Sequence, residues 1–136
     1  MKSIKQVIII RTSYTKDGKP FKPRTGKLMA QAAHASMKFI ALRIKEHGMD
    51  ACAYEIFTLT EWKWIVEQKF TKIVVQVDTE QELLDLAKKA EEAGIIIGLV
   101  QDYGLTEFEK PEYTAVGIGP DYADKIDPIT KDLKLY

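Results

Sequence analysis

The stretch Thr71-Lys-Ile-Val-Val-Gln-Val-Asp78, followed by Thr79-Glu-Gln-Glu82 and then Ile95-Ile-Ile-Gly-Leu-Val100, decides the fold class of this chain. The outer blocks are short apolar runs rich in β-branched residues, which read as strands covered on both faces. Between them, Thr79 and Glu82 have the spacing of a capping box, in which each side chain satisfies the other's backbone N–H at a helix start. The helix that follows carries Leu83, Leu86, Ala87, Ala90 and Ala93 on one stripe and ends at Gly94. Strand, helix and strand in succession predict a parallel pair with a right-handed crossover.

Outward from this unit, residues 4–12 contain Val7-Ile-Ile-Ile10 and predict a buried central strand. Residues 13–23 are polar, with Asp17-Gly18 as a turn signal and Pro20 and Pro23 against regular structure, which predicts a mobile loop. Thr25 is placed to cap a helix running to about His47, with Gly48 as its stop. Residues 49–58 fit either a short helix or a connector. A further short helix is expected over 60–68, with Thr60 as N-cap and Leu59 stapled to Trp64. Beyond the opening stretch come a polar loop over 101–112, a strand over 113–118 stopped by Gly119-Pro120, and a last helix over about 121–129. The sum is an α/β fold: one compact domain over 1–136, with a four-stranded sheet and helices on both faces.

The charge is balanced, 20 basic against 20 acidic residues, so the overall field points to no DNA partner. Its distribution is uneven: Arg11, Lys16, Lys19, Lys22, Arg24 and Lys27 fall within residues 11–27 against Asp17 alone. A local positive patch suits a ligand with a few phosphates, and a solvated basic loop is the plain alternative. The single cysteine, Cys52, excludes an internal disulfide and a cysteine-based metal site, consistent with the cytoplasm. The apolar run behind the N-terminus ends at Arg11, too short for a signal peptide or membrane span.

Chemistry-bearing residues gather at two places. In Thr25-Gly-Lys-Leu-Met-Ala-Gln-Ala-Ala-His-Ala-Ser36, residues Lys27, Gln31, His34 and, beyond it, Lys38 recur at helical spacing and form a thin polar row among Leu, Met and Ala. That composition predicts a helix buried on most sides, whose polar row either lines a wet cleft or merely reaches the surface. His34, set among alanines, reads as a hydrogen-bonded structural residue. The other place is Gln101-Asp-Tyr-Gly-Leu-Thr106, directly after a strand, where α/β sheets collect ligands. Asp102 there is either functional or the anchor of an Asx-turn, and Thr106 and Thr114 offer hydroxyls. Gly26-Lys27 is not a phosphate-binding P-loop, because Phe21 and Leu28 stand where that motif needs Gly and Ser or Thr.

Taken together, Gly26-Lys27-x-x-Ala30-Gln31-x-x-His34-Ala35, Asp102-x-Gly104-x-Thr106, Thr114, Gly117-Ile-Gly-Pro120 and the ending Leu133-Lys-Leu-Tyr136 resemble the archaeal and eukaryotic-type peptidyl-tRNA hydrolases. The resemblance implies a mixed four-stranded sheet and hydrolysis of the ester joining a peptide to the 3′-terminal ribose of tRNA. It implies catalytic positions at Lys27, Asp102, Thr106 and Thr114, a substrate contact at Gln31, and no metal or organic cofactor. Lys16, Lys19, Lys22, Arg24 and Lys72 become candidates for tRNA phosphates, and a homodimer is expected. The chain departs from the family pattern in its longer, proline-bearing loop after the first strand, in lacking a glycine before Thr71, and in having Gln76 where a lysine is common. The rival expectation is a tRNA- or protein-binding module on the same scaffold without turnover.

Overall fold

The computed structural model describes residues 2–104 and 107–136. Its elements are β1 (Ile4–Arg11), β2 (Tyr14–Lys16), β3 (Lys19–Phe21), α1 (Thr25–His47), α2 (Ala53–Ile56), α3 (Leu59–Val66), β4 (Lys72–Val77), α4 (Glu80–Glu92), β5 (Ile97–Asp102), β6 (Glu112–Tyr122), α5 (Ala123–Thr130) and β7 (Lys134–Leu135). The main sheet is mixed and five-stranded, in the order β5-β6-β1-β4-β7, while β2 and β3 form a separate hairpin. β1 runs parallel to β4 and antiparallel to β6, which is itself antiparallel to β5.

The unbroken apolar run of β1 follows from its central place. Val7 and Ile9 pack with Val75, Val77, Leu83 and Ala87 on the α4 side. Ile8 and Ile10, one residue out of phase, join Leu28, Ala35, Val100 and Ala115 on the α1 side. Both faces are therefore core, and alternation disappears. Two devices hold α1 on the sheet. A Cβ at Gly117 would lie 2.3 Å from the Ala35 carbonyl oxygen, so the helix sits closer to β6 than any side chain would permit. Buried Gln6 donates to the Ser36 carbonyl at 2.9 Å and accepts from the Ser36 hydroxyl at 2.7 Å, which fixes the rotation of the helix.

Several expectations are corrected. The sheet gains a fifth strand because β7, pairing Val75 with Leu135 and Gln76 with Lys134, is too short to show a periodic pattern. β4 and β5 run in the same direction but are not a pair, since β1 and β6 lie between them. The supposed mobile loop holds the β2–β3 hairpin, with Asp17 and Gly18 both at positive φ (53° and 71°) as a tight two-residue turn requires. Pro20 is tolerated because a two-stranded ribbon consists only of edges. β6 does not stop at Gly119-Pro120; a bulge between Lys5 and Val7 lets pairing resume through Ile4 and Tyr122.

The helix starts differ as well. The N-cap of α1 is Arg24, not Thr25, because Glu107 binds the Arg24 backbone N–H and side chain from outside the helix. The N-cap of α3 is Thr58, not Thr60: its hydroxyl accepts from Glu61 N–H at 3.2 Å and Glu61 accepts from Thr58 N–H at 2.9 Å. Leu59 is consequently exposed instead of stapled to buried Trp64. Finally, α1 is buried on one face only, through Leu28, Gln31, Ala35, Ser36 and Phe39. Met29 and Met37 on its outer face are 68% and 63% exposed. No helix among the described residues is long and apolar enough to cross a membrane.

Candidate active site

Strands β1, β4 and β5 point their carboxyl ends the same way, and β5 ends there on Asp102. Lys27 enters from the first turn of α1 and Gln31 from the next turn on the same face, while Thr114 rises from β6. Lys27 Nζ donates to Asp102 Oδ2 at 2.6 Å, and Gln31 Nε2 donates to the same oxygen at 3.1 Å. The hydroxyl of Thr114, fully buried, donates to Gln31 Oε1 at 2.9 Å. Asp102 Oδ1 accepts the Gly104 N–H at 2.9 Å, and the positive φ of Gly104, 78°, turns the chain to allow it. Asp102 thus anchors an Asx-turn through Oδ1 while Oδ2 accepts from Lys27 and Gln31.

The Lys27 and Asp102 side chains retain 17% and 13% exposure, so the pair faces the surface at the edge of a dry interior. Burial pushes the Asp102 carboxyl up, but the Lys27 ammonium, the Gly104 N–H and the Gln31 amide together outweigh it and hold the group below the usual carboxylate range. Asp102 is therefore a charged anchor and a weak base. Beside it a depression of about 390 Å³ is lined by Arg24, Gly26, Lys27 and Glu107, with the Arg24–Glu107 ion pair across its rim.

Residues 4–136 match the family described as peptidyl-tRNA hydrolase PTH2. The chain belongs to this family. The peptidyl-tRNA hydrolase of Staphylothermus marinus is 40% identical over 133 residues, covering 96% of this chain and 93% of its own. That of Methanothermobacter thermautotrophicus is 39% identical over 132 residues, covering 97% and 99%. That of Nanoarchaeum equitans is 40% identical over 111 residues, covering 82% and 87%.

In this peptidyl-tRNA hydrolase family member, Lys27, Gln31, Asp102 and Thr114 come together in one hydrogen-bonded chain, and Thr106 lies outside the described residues. Lys16, Lys19 and Lys22 are carried by the hairpin and the segment just after it, and Arg24 follows at the helix start. Lys72 is elsewhere. It is level with Gln6 at the opposite end of β1, six positions short of Asp78, or roughly 20 Å along the sheet. There its ammonium covers the Phe70 ring at 3.4 Å, and burial lowers its pKa. His34 is exposed and its side chain makes none of the described hydrogen bonds, against the expectation of a bonded structural residue.

Sequence reasoning missed Arg11. Its guanidinium, at the buried end of β1, donates to Glu112 at 2.8 Å, Glu80 at 3.2 Å and the carbonyls of Ser13 and Tyr113. It also covers the Tyr14 ring at 4.0 Å. Glu112 is the ladder partner of Asp102, so Arg11 stands one strand away from the site. Locally it showed only as a charged residue closing an apolar run and as one member of the basic stretch; its carboxylate partners Glu80 and Glu112 are 69 and 101 positions away.

Proposed function

We propose that Lys27 and Asp102 form the centre at which this family member hydrolyses the ester between a peptide and the 3′-terminal ribose of tRNA. The observation that carries the proposal is the 2.6 Å ion pair between them, made across 75 positions of sequence at the carboxyl end of the sheet. Ester hydrolysis needs an oriented water and compensation for negative charge growing on the carbonyl oxygen. Asp102 Oδ1 has one acceptor direction left after its bond to Gly104, which suits a water. The Lys27 ammonium, held at the helix start, suits the oxyanion. Water adds to the carbonyl carbon, the carbon–oxygen bond to the ribose breaks, and the 3′-oxygen leaves with a proton derived from that water. Gln31 and buried Thr114 act behind the pair, fixing the angle of Asp102.

Lys16, Lys19, Lys22 and Arg24 supply phosphate contacts next to this centre, and Lys72 lies out of line with them. A second copy of the chain covers the outer stripe of α1, where Met29, Met37 and Ile44 are exposed; light scattering at a single chain mass would contradict that. The reaction belongs with the tRNA pool of the cytoplasm. The test is to mix the purified protein with tRNA carrying an N-blocked aminoacyl ester and follow release of free tRNA. Turnover is expected, and binding without release would leave only a tRNA-binding module.

A further inference from the structure

The inner face of the β2–β3 hairpin is aromatic, and it reaches the reaction centre through one residue. Tyr14 and Phe108 are buried with ring centroids 4.6 Å apart, and Phe21 meets Phe108 edge-on at 6.4 Å. Arg11 clamps Tyr14 from the sheet side. The face of Phe108 also lies 5.4 Å from the Lys27 ammonium. Phe108 belongs to a segment without helix or strand, so it cannot hold this position by local structure. The hairpin and the helix start supply the hold, since Asp17 N–H donates to Glu109 at 3.2 Å and Arg24 binds Glu107, on either side of Phe108.

We propose that Phe108 is a positioning residue, its ring pinned by Tyr14 and Phe21 and serving as the wall that keeps the Lys27 ammonium at Asp102. A lysine side chain has four flexible bonds, and an aromatic face attracts its charge while excluding alternative rotamers. Fixing the ammonium before substrate arrives lowers the barrier of the chemical step more than it strengthens substrate binding. The long hairpin thus has a purpose besides carrying lysines. This inference rests on Lys27 and Asp102 being the reaction centre.

The test compares Phe108→Leu, which keeps an apolar plug without a π face, with Phe108→Tyr, which keeps the face. Steady-state hydrolysis of N-blocked aminoacyl-tRNA and thermal melts are run on both, with Lys27→Met alongside. Phe108→Leu is expected to lower kcat roughly 2- to 30-fold, the span of a cation–π contact, with KM nearly unchanged. Phe108→Tyr, which keeps the face and the packing alike, is expected to stay within about twofold of the parent, whereas a merely structural role would lower the melting temperature of Phe108→Leu and leave its kcat unmoved. A parental kcat in Phe108→Leu, a change in KM alone, or an equal fall in Phe108→Tyr overturns the proposal. If Lys27→Met is itself fully active, the reaction centre falls; if Lys27→Met loses activity while Phe108→Leu does not, only the role of Phe108 falls.

Discussion

Replacing Gln31 and Thr114 separately and together tests whether the two form one unit behind Asp102. Gln31 is 3% exposed and Thr114 fully buried, so neither can turn to bulk water when its partner is lost. Gln31→Leu leaves the Thr114 hydroxyl without its acceptor, at about 1–3 kcal/mol, and takes one donor from the Asp102 carboxylate, at about 1.5–3 kcal/mol. Thr114→Val leaves the Gln31 carbonyl unpaired, again at about 1–3 kcal/mol. In the double variant the orphaned groups vanish together, and mainly the donor lost to Asp102 remains. Stability measured by urea unfolding should therefore show the double variant about 2–6 kcal/mol more stable than the sum of the single effects predicts, because both orphaning costs drop out. Additivity within about 0.5 kcal/mol would refute the linkage.

Stability should also depend on pH through Asp102. Its carboxyl is held below the ordinary value, so its contribution is present above the unfolded value, about 3.9, and is lost as pH falls through the folded one. Acid titration followed by circular dichroism should show a shallower loss of stability below about pH 4 in Asp102→Asn than in the parent; identical slopes would contradict this. Changing Lys16, Lys19 and Lys22 to Gln should flatten the salt dependence of tRNA binding by about 2–3 units of log–log slope, while Lys72→Gln leaves it unchanged. Lys69 has a positive φ of 54° without being glycine, in the segment where the family's usual glycine is missing. Lys69→Gly should raise stability by about 0.5–1 kcal/mol in thermal melts, and no gain would show that the turn is unstrained.

What could be seen beforehand depended on how local the cause was. The runs in β1, β4 and β5 and the cap at Thr79 were legible because burial on two faces and capping each leave a pattern within a few residues. The Thr58-x-x-Glu61 capping box is equally local, but Thr60 two positions later offers the same residue type and competes with it as a helix start. Strand order was not legible: nothing in residues 71–100 shows that β6 and β1 will come between β4 and β5. At the site, Lys27 and Gln31 could be paired by helical spacing, but their meeting with Asp102 follows from α1 crossing β5 and β6, which Gly117 and Gly98 permit by lacking side chains. The roles of Gln31 and Thr114 behind Asp102, and of Arg11 beside it, required knowing which atoms face each other across about 70 or more positions.

The central claim is that the Lys27–Asp102 pair performs the hydrolysis, and single-turnover release of tRNA from an N-blocked aminoacyl-tRNA tests it most directly. In Asp102→Asn the amide cannot accept from Lys27, Gln31 and Gly104 together, and Lys27 loses its counter-charge. Losing one preorganised electrostatic contact of this kind lowers a rate by about 100- to 1000-fold. Asp102→Asn and Lys27→Met are each expected to fall by that order while keeping the parental circular dichroism spectrum. Release within about threefold of the parent in both folded variants would place the chemistry elsewhere on the protein.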